Sequence, residues 1–347
     1  MPRKKTLFPA LVLAALVLAV LTIAALVSVY VIFLKPNVAA KKRTHIYIPT
    51  DSTYSYLITQ LKQKEVLENL WSFELIAQIK ELPYKVKSGH YVITPGMNNR
   101  QLVNMFRAGL QVPVKLIIYN IRTKEEFSGL IGRTLEIDSI QIIRALNSDS
   151  FCRKYGLDTN NILTHFITDN YELWWNSPAE KLWKKLDDAH RAFWNEDRIQ
   201  KLSNLNLQKH QAVILASIVE KETFRDSEMP TIAGVYINRL KLGMPLQADP
   251  TLLFALRDFD ARRVLNYHKD YDSPYNTYKY TGLPPGPICM PRKKSIDAVL
   301  QAEKHEYLYF CANPDMSGYS VFSKTYDEHQ KVAALYRKKL NAMNIRR

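Results

Sequence analysis

The chain has little cysteine: Cys152, Cys289 and Cys311 are its 3 cysteines in 347 residues. No two stand in CxxC spacing, which excludes a zinc ribbon and a disulfide-dense scaffold. An odd number leaves at least one thiol unpaired. A Cys289–Cys311 bridge is open to it outside the cytoplasm, and three small buried hydrophobes is the simpler reading. HEYLY at 305–309 begins like a zincin motif but lacks the second histidine, and the 8 histidines are scattered, so neither a metal nor a cofactor is expected. Without a GxSxG elbow or a GKS or GKT loop, nucleophilic-elbow hydrolysis and phosphate-cradling nucleotide chemistry lose their support. The chain also lacks an aromatic RNP-type stretch, a Cys/His finger and a long basic run, so nucleic acid is not an expected partner. No internal repeat or low-complexity tract appears.

What the chain does have is a long apolar start. After MPRKKT, the 28 residues from Leu7 to Leu34 carry no charge, and a bilayer needs about 20. Val38-Ala39-Ala40 resembles a signal-peptide cleavage site, but such a peptide has an apolar region of only about 7–15 residues. A membrane anchor is therefore the expectation. Arg3, Lys4 and Lys5 on one side face Lys35, Lys41, Lys42 and Arg43 on the other, so charge alone leaves the orientation open. With 48 basic against 33 acidic residues and a net charge of +15, the field favours a membrane surface or an anionic envelope polymer.

Beyond a polar linker at 35–45, residues 46–110 read as a small strand, helix, helix, strand unit: a strand at 46–48, helices at about 53–64 and 70–80, and a strand at 89–93. A further helix at 98–109 ends at Gly109. Residues 112–120 alternate like a strand. Helices are then expected from 123, at 137–146, at 177–194 with Ser177 as N-cap, at 207–224 and at 229–243. The Pro-, Gly- and Tyr-rich stretches MPLQADPTLLFAL and DSPYNTYKYTGLPPGPI read as loops, followed by a hairpin of 307–312 with 319–323 and a basic helix from about 324.

AVILASIVEKETF at 212–224 carries the chemistry. A helix turns about 100° per residue, so a run that is apolar on every face must be buried on every face. Glu220 is expected where that helix emerges, in a desolvated setting that raises a carboxyl's pKa and suits it to donate a proton. Glu222 lies about 200° around the helix and is not expected to share Glu220's site. Ordinary glycoside hydrolysis needs two carboxyls. One suffices if the substrate supplies its own nucleophile, as the 6-hydroxyl of muramic acid can by attacking its own C1 to leave a 1,6-anhydro end. The plainer reading of Glu220 is a first solvated residue paired with Lys221.

ASIVEKET at 216–223, IAGVYINRLKLGMPLQADPT at 232–251, DSPYNTY at 272–278 and GLPPGPI at 282–288 resemble the YceG-like family of endolytic murein transglycosylases. The resemblance implies an α+β chain: a cytoplasmic tail at 1–6, a transmembrane helix at 7–34, the linker, a LysM-like βααβ subdomain at 46–110 and a mainly helical catalytic domain at 111–347. It implies Glu220 as catalytic residue and an extracytoplasmic, inner-membrane-anchored enzyme acting on peptidoglycan. Ends of 1,6-anhydroMurNAc, termination of nascent strands and cell-wall synthase complexes as partners follow as expectations. Gln247, Asp249, Tyr275, Asn276, Thr277 and Tyr278 are candidate sugar contacts through hydrogen bonds and ring stacking. The chain departs from the family at Thr168-Asp169-Asn170-Tyr171, which leaves that loop's role open; Tyr171, Trp174 and Trp175 could stack on sugar, and packing against the 177–194 helix is the commoner fate of such a run. The alternatives are a muramidase using Glu220 with Asp249, and a non-catalytic, membrane-held glycan binder.

Overall fold

A computed structural model describes residues 7–259 and 264–342; the expected tail at 1–6 lies outside them. The chain divides into two compact units, Met1–Val114 with Glu172–Ser177, and Lys115–Tyr171 with Pro178–Arg347.

In the first unit, α1 (Leu7–Val29) continues into a π-helical turn at Tyr30–Leu34. Ala10–Leu34 has a mean hydropathy of 3.0 and is long and apolar enough to cross a membrane. Strand β1 (Thr44–Ile48) leads to α2 (Tyr54–Gln63) and α3 (Leu70–Ile79), then to β2 (Gly89–Ile93) and α4 (Asn99–Ala108). β1 and β2 pair antiparallel, with Ile46 opposite Tyr91. Asn98 and Gln101 close a reciprocal capping box at the start of α4, and Gly109 ends it at φ 74°, a left-handed conformation that costs glycine little. Ile46, Phe73, Ile76, Tyr91 and Phe106 are fully buried at its centre, each contributing about 1.5–3 kcal/mol by leaving water. The strand, helix, helix, strand order is the expected one. The connector differs from expectation, because it is not a free linker: the Asn37 amide N–H donates to the Met97 carbonyl and the Ala39 amide N–H to that of Val66, while Val38 is buried.

The second unit opens with β3 (Val114–Ile117), α5 (Lys124–Thr134), α6 (Ser139–Leu146), α7 (Asp149–Arg153) and β4 (Asn170–Leu173). Thr123, Asp138 and Ser148 cap the three helices by accepting backbone N–H groups, as short polar side chains do at N-caps. There follow α8 (Ala179–Phe193), α9 (Glu196–Asn204), α10 (Lys209–Glu222), α11 (Met229–Lys241), α12 (Asp249–Leu256) and α13 (Lys293–Leu300). The antiparallel hairpin of β5 (Tyr309–Ala312) and β6 (Ser320–Ser323) precedes α14 (Tyr326–Ala342).

Several expectations shift. Pro178, not Ser177, holds the N-cap position of α8 and forms no side-chain cap. The stretch read as a loop before residue 257 contains α12, which starts at Asp249-Pro250, a first-turn proline of the kind helices favour. Cys289 and Cys311 are both free, and the buried Cys289 thiol donates to the Ser217 carbonyl across 3.7 Å. Tyr171 is buried with its hydroxyl on the Ile167 carbonyl at 2.5 Å, and Trp175 meets the ring of Tyr47 edge-on.

Candidate active site

Every residue of α10 from Ala212 to Val219 is buried, so the apolar run is covered on all faces as its composition demands. Ser217, the one polar side chain within it, donates to the Ile214 carbonyl at 2.7 Å and accepts the Ile288 amide at 3.1 Å. The helix packs against α11, α12 and α13. Two carboxyls project from its last turn and meet different fates.

Glu220 meets the start of a neighbouring helix. Its Oε2 accepts the Arg292 amide at 2.7 Å and the Ser295 hydroxyl at 2.6 Å, and Arg292 Nε stands 3.3 Å away. Arg292 is the N-cap of α13 and makes no side-chain cap of its own. Glu220 thus supplies from another helix the negative, accepting group that a helix start needs. A cavity of about 350 Å³ lies on this side, lined in part by Asp169, Arg292, Lys293 and Lys294. Its cations are already engaged, Lys293 with Asp169 and Lys294 and Arg292 with Asp226.

Glu222 has the property expected of Glu220. Burial, first of all, lifts its pKa from 4.5 to about 7; the Tyr236 hydrogen bond opposes this, the nearby Asp249 charge adds to it and Arg239 opposes it. The Tyr236 hydroxyl donates to Glu222 Oε1 at 2.7 Å, and the residue stays partly exposed. Deep placement with one open side is what a proton donor to an incoming substrate requires.

The surrounding groups come from α11 and two loops. Tyr236 and Arg239 stand one turn apart on α11 and both are buried. Arg239 donates through Nε to the Leu308 carbonyl at 2.7 Å and through Nη1 to those of Leu246 at 2.7 Å and Pro245 at 3.3 Å. It therefore fixes the loop leading to Asp249 while holding positive charge beside Glu222. Asp249 is exposed and accepts the Tyr278 hydroxyl. Burial first, and then that bond, hold the Tyr278 phenol far above its usual range, so it stays protonated and donating.

Of the expected sugar contacts, the structure brings Asp249 and Tyr278 to the acid. Gln247 is exposed on the same loop at φ 53°, with its amide N–H on the Thr277 carbonyl. The other three are corrected. Asn276 is fully buried: its Nδ2 donates to the Lys269 and Tyr271 carbonyls and its Oδ1 accepts the Tyr278 amide. Thr277 is buried and ties Ala248 and Thr251 together through its hydroxyl. Tyr275 packs on Phe254 with ring centres 4.8 Å apart. Asn276 and Thr277 shape the loops from buried positions, while Tyr275 is half-buried against Phe254. Sequence reasoning missed Glu222, Tyr236 and Arg239. The signal was present: Tyr236 and Arg239 lie one turn apart on a helix whose other side chains are mostly apolar, where such groups are buried with partners.

A partly exposed carboxyl of raised pKa at the end of a buried helix, beside proline-rich loops, is thus what the second unit presents. The chain belongs to the YceG-like family, whose model matches residues 46–334. It is 28% identical to a Bacillus subtilis protein named endolytic murein transglycosylase over 312 residues, 86% of each chain. A Streptococcus pneumoniae protein of the same name is 32% identical over 145 residues, which cover 40% of this chain and 26% of that one. A crystal structure of a yceG-like protein from Listeria monocytogenes superposes with a TM-score of 0.58 at 29% identity, covering 84% of this chain and 99% of the other.

Proposed function

We propose that the chain is a single-pass, membrane-anchored endolytic lytic transglycosylase of peptidoglycan, with Glu222 rather than Glu220 as its acid/base. The carrying observation is the carboxyl of Glu222, raised to about 7 beside Tyr236, Asp249 and Tyr278. The names of the relatives supply the substrate class.

Protonated Glu222 donates its proton to the glycosidic oxygen as the bond from C1 of MurNAc to that oxygen breaks, and the bonding pair leaves with the GlcNAc oxygen. The 6-hydroxyl oxygen of the same MurNAc bonds to C1, and its proton passes to the Glu222 carboxylate. The acid is restored, no water is consumed and a 1,6-anhydroMurNAc end remains. Tyr236, by holding Oε1, orients the carboxyl. The span at 7–34 would anchor the enzyme in the inner membrane with residues 1–6 cytoplasmic and the catalytic unit outside. Residues 46–110 are the candidate LysM-like module. Cleavage from such an anchor would terminate nascent strands beside a synthase complex.

The test is mass spectrometry of sacculi digested by wild type, Glu222→Gln and Glu220→Gln. Anhydro ends are expected from wild type and folded Glu220→Gln, and none from folded Glu222→Gln; the reverse pattern would return the role to Glu220. Asp249 lies close enough to push Glu222 upward, which favours a muramidase as the second reading. Reducing ends in place of anhydro ends would establish it.

A further inference from the structure

The membrane-spanning helix and the first unit meet without a swivel. The carbonyl of Ile32, in the last turn of the span, accepts Asn99 Nδ2 at 2.9 Å, and that of Leu34 accepts Asn98 Nδ2 at 3.4 Å. Asn99 Oδ1 accepts Asn37 Nδ2 at 2.6 Å, and Asn99 Nδ2 also reaches Ser72 Oγ at 3.0 Å. Asn37 in turn holds Asn69 through both its amide atoms, donating to the carbonyl and accepting the N–H, each at 2.8 Å. Asn37, Ser72 and Asn99 are all buried, and Ile32 and Phe33 pack on the unit's core. Breaking such a satisfied buried network would leave several polar groups orphaned away from water, so the joint is stiff.

This fixes a height. Lys35 is the first charge after the span and belongs among headgroups. Ile32 lies three residues before it, within the same helical turn and so only slightly deeper. The parts of the unit that bond the Ile32 carbonyl therefore stand at headgroup depth. They centre on Asn99 at the start of α4, which in turn bonds Ser72 in the first turn of α3; those two turns carry Arg100 and Trp71. Trp71, between the clamping residues Asn69 and Ser72, is 64% exposed. An indole in that position suits the boundary between chains and headgroups, and Arg100 and Lys35, both exposed, suit lipid phosphates.

Resting on the membrane reading above, we infer that this edge of the first unit is a lipid-docking surface, with Trp71 seated in the headgroup layer and the Asn37–Asn99 clamp holding it there. The docking is part of the anchor and precedes any contact with glycan.

The test uses the full chain reconstituted in vesicles of phosphatidylcholine and phosphatidylglycerol, with bromine on the acyl chain either near the headgroup or near the chain end. Flotation is measured first. A protein that does not float overturns the membrane reading itself. Given flotation, bromine near the headgroup should quench a component of wild-type tryptophan emission more strongly than deep bromine, and Trp71→Phe should lose that component. Equal quenching of wild type and Trp71→Phe by headgroup-proximal bromine, or stronger quenching of the Trp71 component by deep bromine, overturns the docking. Trp71 is a surface position, so the variant keeps its fold, and circular dichroism verifies it.

Discussion

The two carboxyls of α10 should respond to neutralisation in opposite ways, and the difference is readable without substrate. Glu222 titrates near its ordinary value of 4.5 in the unfolded chain and at about 7 when folded. A raised acid favours its neutral form in the fold. Below about pH 4 both states carry the proton and the group is silent. As pH rises from there to about 7 the unfolded chain ionises first, so stability falls, and above about 7 the loss levels off. The gap is worth about 3 kcal/mol at most, and partial exposure brings it to about 1–3. Glu222→Gln cannot ionise. It should match wild type near pH 4, exceed it by about 1–3 kcal/mol near pH 8, and raise the melting temperature there by several degrees. Glu220→Gln should do the reverse, since it leaves Arg292 without its carboxylate and weakens the start of α13, for a loss of about 1–3 kcal/mol at neutral pH. Calorimetry across the pH range measures both. Parallel curves for wild type and Glu222→Gln would refute the burial argument. On the proposed mechanism, activity should fall as pH rises through about 7, and Glu222→Gln should lower anhydro-product release by at least about 100-fold.

Arg239→Met should cost about 3–5 kcal/mol, because three carbonyls lose their donor and the loop before Asp249 comes free; a melting temperature within a degree of wild type would contradict this. Gly286→Ala should be strongly destabilising, since the added carbon falls 2.1 Å from the Asn160 carbonyl oxygen and 2.8 Å from the Tyr275 hydroxyl and the backbone must move, for about 1–3 kcal/mol or more by urea unfolding. Burial, with a smaller contribution from His190, holds His165 down at about 4 against the usual 6.5. As pH falls from about 6.5 towards 4 the unfolded chain gains the proton first, so stability is lost on the acid side. His165→Gln should flatten that limb in a melting-temperature profile.

How much was legible in the sequence turns on where each interaction's partner lies. The burial of α10 follows from composition, because a segment apolar on all faces has no other stable place. Start and stop signals worked where the capping group is local, as at Asn98 with Gln101 and at Gly109. They failed at α12, where the first-turn proline sits in a stretch that reads as loop, and at α13, whose capping carboxylate stands 72 residues away on Glu220. Periodicity separated Glu220 from Glu222 but gave no sign of the partners each would meet. Asn276 and Thr277 looked like sugar contacts because amides and hydroxyls bind sugars. They bind backbone equally well, and here the Lys269 and Tyr271 carbonyls and the Ala248 amide reach them first.

That failure locates the chemistry. Glu220 and Glu222 leave the same helix turn with the same side chain, and only the partners differ. Arg292 and Ser295 give one of them a cationic neighbour and two hydrogen-bond donors. The other receives a single phenol donor from Tyr236 and a like charge from Asp249, a setting that favours the proton and keeps it transferable near neutrality. One carboxylate of this helix end thus caps its neighbour α13, while the other stands among the α11 side chains Tyr236 and Arg239. For this reason losing Glu220 should weaken activity only as far as it loosens α13, whereas losing Glu222 should remove the reaction from a protein that is, above neutral pH, more stable than before.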